Sequence, residues 1–153
     1  MNETPNQQLQ RLLNEKTASR KGKSKYGNKP IVRDGVRYDS GAEYAYKGVL
    51  DLQVKAGQIT GYDYHVKLPL IAQGGKLVGY YEVDYLVYCP DGSQQYHDVK
   101  SSGTDTYIFN WKARHVAAQY GVEVVFIDSK TLRPKDRPTR IKSVEVDTDQ
   151  ILP

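Results

Sequence analysis

The chain has 153 residues, a hydrophobic fraction of 39% and a net charge of +4 from 22 Lys/Arg against 18 Asp/Glu. That length suits one domain and is short for two. No run approaches the roughly 18 apolar residues of a membrane span, the polar stretch Met1 to Gln10 gives no apolar signal region, and the single Cys89 excludes a disulfide framework or a multi-cysteine zinc site. A reducing, cytoplasmic location is the expectation.

The charge is unevenly spread. Residues 1–37 hold nine Lys/Arg against three acids, residues 38–128 seven against eleven, and residues 129–153 six against four. Basic flanks point to a polyanion. The acidic centre then requires its own explanation, because carboxylates repel a phosphate backbone unless a cation neutralises them.

In chain order, residues 1–30 read as a flexible basic arm with a short helix at Gln8 to Asn14. Arg20, Lys21, Lys23, Lys25 and Lys29 are its candidate DNA contacts, set against a plain solvated tail. Residues 31–128 read as the domain. Ile31 to Tyr38 is a hairpin turning at Asp34-Gly35. A helix runs from Ser40 to Ala56-Gly57, with Ala42, Tyr46, Val49 and Leu50 inward. Val66 to Leu70, with Pro69 inside it, reads as a strand near an edge. Lys76 to Cys89 and Gln94 to Ser101 form a hairpin about Pro90-Asp91-Gly92. A second helix spans Thr104 to Tyr120, capped by Thr104 or Thr106 and closed by Gly121. Val122 to Ile127 reads as a buried strand. Residues 129–153 form a tail, basic and then acidic, with Arg133, Lys135 and Arg137 as further candidate phosphate contacts. The predicted class is α/β, with the order helix, three strands, helix, strand on a mixed sheet.

The chemistry is sought in Asp98-Val99-Lys100. Alternation on a strand puts Asp98 and Lys100 on one face and His97 and Val99 on the other. Asp84 lies mid-strand in the partner of this hairpin, a poor place for Asp unless it has a task. Two carboxylates brought together repel one another, and a divalent cation removes the penalty. Glu43 is a third acid. It fits both a capping box with Ser40 and a place at the metal. An ordinary surface ion pair is the plain alternative for Asp98 and Lys100. Lys112 is a weaker phosphate candidate or a plain surface lysine. His65, His97 and His115 lack ligand spacing and read as structural or surface residues, with His65 the one to test. Trp111 reads as core. Tyr80, Tyr81, Tyr85 and Tyr88 read as core and sheet surface, some of them able to stack on unpaired bases.

Four stretches, Lys25-Tyr26-Gly27-Asn28-Lys29, Tyr38-Asp39-Ser40-Gly41-Ala42-Glu43, Tyr81-Glu82-Val83-Asp84-Tyr85 and Asp98-Val99-Lys100-Ser101, carry a resemblance. The chain resembles the PD-(D/E)XK nuclease superfamily over about residues 25–128, and more closely the phage endonuclease-I and Holliday-junction-resolvase-like nucleases. Val83 stands in place of the superfamily's proline. The resemblance implies a restriction-endonuclease-like core and Mg²⁺, with Mn²⁺ able to substitute, held by Asp84, Asp98, the Val99 carbonyl and Glu43. It also implies Lys100 as the group that orients or deprotonates the attacking water. A phage-encoded homodimer acting on branched or double-stranded DNA follows from the same likeness. RNA cleavage, structure-independent nicking and a non-catalytic nucleic-acid binder on a nuclease fold are the alternatives.

Overall fold

The computed structural model describes residues 29–101 and 106–135. The expected short helix at residues 8–14, the arm residues Arg20, Lys21, Lys23 and Lys25, Thr104, and the tail beyond Lys135 with Arg137 lie outside the described residues. The rest is α/β: a two-stranded hairpin, two helices and a four-stranded mixed sheet.

The hairpin is β1 (Ile31–Arg33) with β2 (Val36–Tyr38). Asp34 and Gly35 both have positive φ (50° and 75°), the conformation that a two-residue hairpin turn demands and that this pair tolerates. Helix α1 (Gly41–Lys55) follows. Ser40 is extended and its hydroxyl accepts the Glu43 N–H, satisfying one orphan donor of the first turn. Tyr46 and Leu50 are buried with Ala42 and Val49 packed beside them, so the inward face is the one that helical spacing predicts.

The sheet is β3 (Gly61–Ala72), β4 (Lys76–Tyr88), β5 (Gln94–Lys100) and β6 (Val124–Asp128), in that spatial order. The first three are antiparallel and β6 runs parallel to β5. Pro69 therefore sits on an edge strand, as its missing N–H requires, although β3 extends well beyond the expected Val66–Leu70. Helix α2 (Tyr107–Tyr120) crosses between β5 and β6. Thr106 caps it, and Gly121 ends it in the left-handed conformation (φ 64°). A residue with a Cβ at Gly121 would cost roughly 1–2 kcal/mol.

The two helices cover opposite faces. Along β6, Val124 and Phe126 pack with Ala113 and Val116 of α2, while Val125 and Ile127 pack with Tyr46 and Leu50 of α1. On β3 and β4 this alternation reverses at one rung. Tyr62 and Tyr64 join the α1 side, but Val66, Leu68 and Leu70 join the α2 side. Opposite them, Tyr85 and Val87 face α1, whereas Tyr81 and Val83 face α2. The pairs Tyr64↔Tyr85 and Val66↔Val83 flank the crossover, so His65 and Asp84 stand opposite one another in it. His65 has φ 55°, and that left-handed residue turns β3 over.

Trp111 is not core, contrary to the expectation from its size. It is 45% exposed, and Tyr107 and Ile108 of the same helix are also exposed. The inward face of α2 is instead built from Ala113, Val116 and Ala117, small residues that let the helix approach the sheet. Tyr81 and Tyr85 are core, while Tyr80 is exposed.

Candidate functional site

The crossover rung opens a gap in the sheet. Strands β4 and β5 pair from Tyr88↔Gln94 to Tyr85↔His97. Beyond that rung the Asp84 carboxylate intervenes, its Oδ2 accepting the Val99 N–H at 2.7 Å. An open cleft of about 600 Å³ lies here, lined among others by Lys29, Glu43, Asp84, Val99 and Lys100.

Four sequence-predicted residues converge. Lys100 Nζ lies 2.9 Å from Asp98 Oδ1 and 4.0 Å from the centre of the Phe109 ring, so Asp98 and Lys100 share the α2 face as strand alternation requires. Asp98 is fully buried. Tyr81 donates its hydroxyl proton to Asp98 Oδ2, and that carboxylate pushes the Tyr81 phenol above its ordinary range, after burial itself. Asp98 Oδ1 meets Lys100 as an ion pair but makes no hydrogen bond. Asp84 is half-buried. Burial first, then the Asp98 and Glu43 charges, hold its carboxyl well above the usual range, with Lys100 pulling the other way. The shift is what three carboxylates around one ammonium should produce.

Glu43 sits in the first turn of α1, where its carboxylate is held from the capping side and also borders the cleft. Its Oε1 accepts from the Ser40 hydroxyl at 3.0 Å, and its Oε2 accepts from the Asp39 N–H at 3.2 Å and the Tyr64 hydroxyl at 2.7 Å. The backbone N–H that Glu43 takes is that of Asp39 rather than that of Ser40, as a capping box would have it. Anchored at three points, Glu43 still borders the cleft. Tyr85 donates to the Glu43 carbonyl at 2.8 Å and pins the first turn of α1 to the sheet.

The remaining candidates separate. Lys29 lines the cleft. Lys112 donates to the Tyr80 carbonyl at 3.4 Å, away from the cleft lining. Arg133 and Lys135 follow β6, where their main chains bond Asp128 and Phe126. His97 is structural: Nδ1 meets the Tyr46 hydroxyl at 2.7 Å and Nε2 meets Gln95 Oε1 at 3.0 Å. Burial holds its pKa down, to about 4. His115 contacts the Ile71 carbonyl at 3.2 Å. His65 is the histidine that reaches the site. Donor atoms of Glu43, His65 and Asp84 lie within 4.8 Å of one another. Spacing along the chain could not reveal this, because the crossover of β3 brings His65 there.

Among the described residues no helix is long and apolar enough to cross a membrane. The profile of the family described as "Protein of unknown function (DUF1064)" matches residues 23–135, and the chain belongs to that family. No curated protein and no solved structure gives a significant match.

Proposed function

We propose that this DUF1064 chain is a divalent-metal-dependent endonuclease that hydrolyses phosphodiester bonds in DNA, on a restriction-endonuclease-like core. The observation that carries the reading is the convergence of Glu43, Asp84, Asp98 and Lys100 at the gap between β4 and β5. Glu43 precedes Asp84 by 41 positions and Asp98 by 55, and nothing in the packing of a core requires carboxylates to meet there.

The donor set fits a hard cation. Three carboxylates against one ammonium leave an excess of negative charge, and the buried Asp98 Oδ1 lacks a hydrogen bond. A phosphodiester would be repelled from such a cleft unless a divalent ion were present. Asp84 and Glu43 would hold it, with Asp98 behind them. Mg²⁺ or Mn²⁺ bound there lowers the pKa of a coordinated water and offsets charge on the phosphoryl oxygens.

The residues of the chain supply the rest. Glu43 is fixed by Ser40, Asp39 and Tyr64, so its free lone pair has one direction. Lys100 borders the cleft while tied to Asp98. Its ammonium stands where it can hold a phosphoryl oxygen and orient the attacking water. Lys29 and the basic residues before it attract the backbone without reading sequence. Branched DNA and a homodimer are the preferred substrate and state, on the resemblance to junction-resolving nucleases.

The test is cleavage of linear, nicked and four-way-junction DNA with Mg²⁺ or Mn²⁺. Wild type cuts at least one of these, and Asp84→Asn and Lys100→Gln lose at least about a hundredfold in rate. Inactivity on all three substrates, or variants as active as wild type, refutes the reading.

A further inference from the structure

We propose that His65 is a nitrogen ligand in this cleft, and that it makes the site prefer first-row transition ions, with Mn²⁺ as the probe, to Mg²⁺. The inference rests on the metal part of the reading above and not on the identity of the substrate.

Three observations carry it. First, His65 opposes Asp84 at the rung where both strands exchange faces, and donor atoms of Glu43, His65 and Asp84 fall within 4.8 Å of one another. Ligands of one ion bonded at about 2.1 Å stand up to about 4.2 Å apart, so side-chain adjustments alone bring these three to a common centre.

Second, each ligand has neighbours that limit how it can turn. His65 Nδ1 lies 3.4 Å from Glu82 Oε1, and the ring stacks on Tyr64 with centroids 4.1 Å apart. With the proton on Nδ1, on the Glu82 side, the Nε2 lone pair would face Glu43, 3.9 Å away, and Asp39, 3.6 Å away. A carboxylate on the far nitrogen is the usual support of a metal-bound imidazole. Glu43 has three of its roughly four acceptor positions filled by Ser40, Asp39 and Tyr64. Asp84 directs one oxygen at the Val99 N–H, which leaves its other oxygen for the ion.

Third, Glu43, Asp84 and Asp98 lie close enough to act on one another, while Lys100 is paired with the buried Asp98 Oδ1 at 2.9 Å, so the negative charge around the rung exceeds what one ammonium neutralises. Mg²⁺ takes oxygen ligands almost exclusively, whereas a mixed imidazole and carboxylate set suits ions further along the transition series. The competing arrangement is a protonated His65 that merely pairs with Asp39, Glu43 and Glu82.

The experiment titrates the metal-free full-length protein with Mn²⁺ alone and with Mg²⁺ alone by calorimetry. Pulsed electron paramagnetic resonance on the Mn²⁺-loaded protein then looks for ¹⁴N coupling. Wild type should bind Mn²⁺ at least about tenfold more tightly than Mg²⁺ and show imidazole ¹⁴N coupling. His65→Asn, which suits the left-handed backbone, should abolish the coupling and weaken Mn²⁺ at least about tenfold, with Mg²⁺ changed less than about threefold. Glu82→Gln, at an exposed position, should weaken Mn²⁺ in the same direction without removing the coupling. Absence of ¹⁴N coupling in Mn²⁺-loaded wild type overturns the proposal, as does equal loss of both ions in His65→Asn or no uptake of Mn²⁺ at all. Coupling without DNA cleavage leaves the inference standing and refutes the nuclease; cleavage without coupling does the reverse.

Discussion

Asp84 takes the Val99 N–H at 2.7 Å, so a side chain of β4 replaces the backbone partner that β5 would otherwise have. The same carboxylate is held well above its usual range by burial and by the Asp98 and Glu43 charges. A carboxyl whose folded pKa is raised binds protons more tightly in the native state, so ionising it costs stability at neutral pH and the cost disappears as pH falls. Asp84→Asn keeps the acceptor for Val99 and removes the charge. Without metal, its Tm should exceed that of wild type at pH 7, and the gap should close on acidification. A variant less stable than wild type at pH 7 would mean that the three carboxylates do not repel.

Lys100 and Asp98 form the buried pair next to it, with side-chain exposures of 20% and 1%. Removing one partner strands the other, at a typical cost of about 3 kcal/mol. Lys100→Met should therefore lower stability by about that amount in denaturant titrations. The double variant Asp98→Asn/Lys100→Met should recover most of it, while the cleavage proposed above should stay at least about a hundredfold down in both. Independent, additive losses would show that the pair is not coupled.

His97 gives the opposite pH sign to Asp84. Its folded pKa is lowered from 6.5 to about 4 by burial, so the unfolded state takes up the proton first. Stability present above about pH 6.5 is lost as pH falls toward 4, by roughly 3 kcal/mol in all. Urea midpoints at pH 7 and pH 4.5 in the Asp84→Asn background, where the opposing carboxyl is gone, measure it directly. Tyr46→Phe leaves the Nδ1 of His97 without its 2.7 Å partner and should cost about 1–3 kcal/mol while leaving metal uptake unchanged.

Trp111→Ala should cost about 1 kcal/mol or less, because the ring stands 45% exposed. Leu50→Ala, at a fully buried position, should cost about 2–5 kcal/mol. Comparable midpoint shifts for the two would place Trp111 in a packed environment after all.

Much of this architecture could be read from local chemistry. Ser40, Glu43 and Gly121 mark helix ends, Asp34-Gly35 marks a hairpin, and alternation puts Asp98 with Lys100. Each signal acts within a few residues. Trp111 escaped because bulk suggests burial, whereas the sheet accepts α2 through Ala113, Val116 and Ala117. His65 was noticed but could not be placed at the site, since its position depends on a left-handed residue inside β3. Period-two reasoning assumes that a strand keeps its faces. At His65 and Asp84 it does not, and the acid on β4 is turned to meet Glu43 on one helix and Asp98 on the neighbouring strand.

Lys29 at the rim of the cleft has a covalent consequence. A chain spans at most about 3.6 Å per residue, so the charges from Arg20 to Lys25 are leashed within about 32 Å of that rim whatever path they take. On the proposed reading, a polyanion gripped by them would be kept at high effective concentration beside the acids, and severing the leash should raise the amount of DNA needed while sparing the turnover of saturated protein.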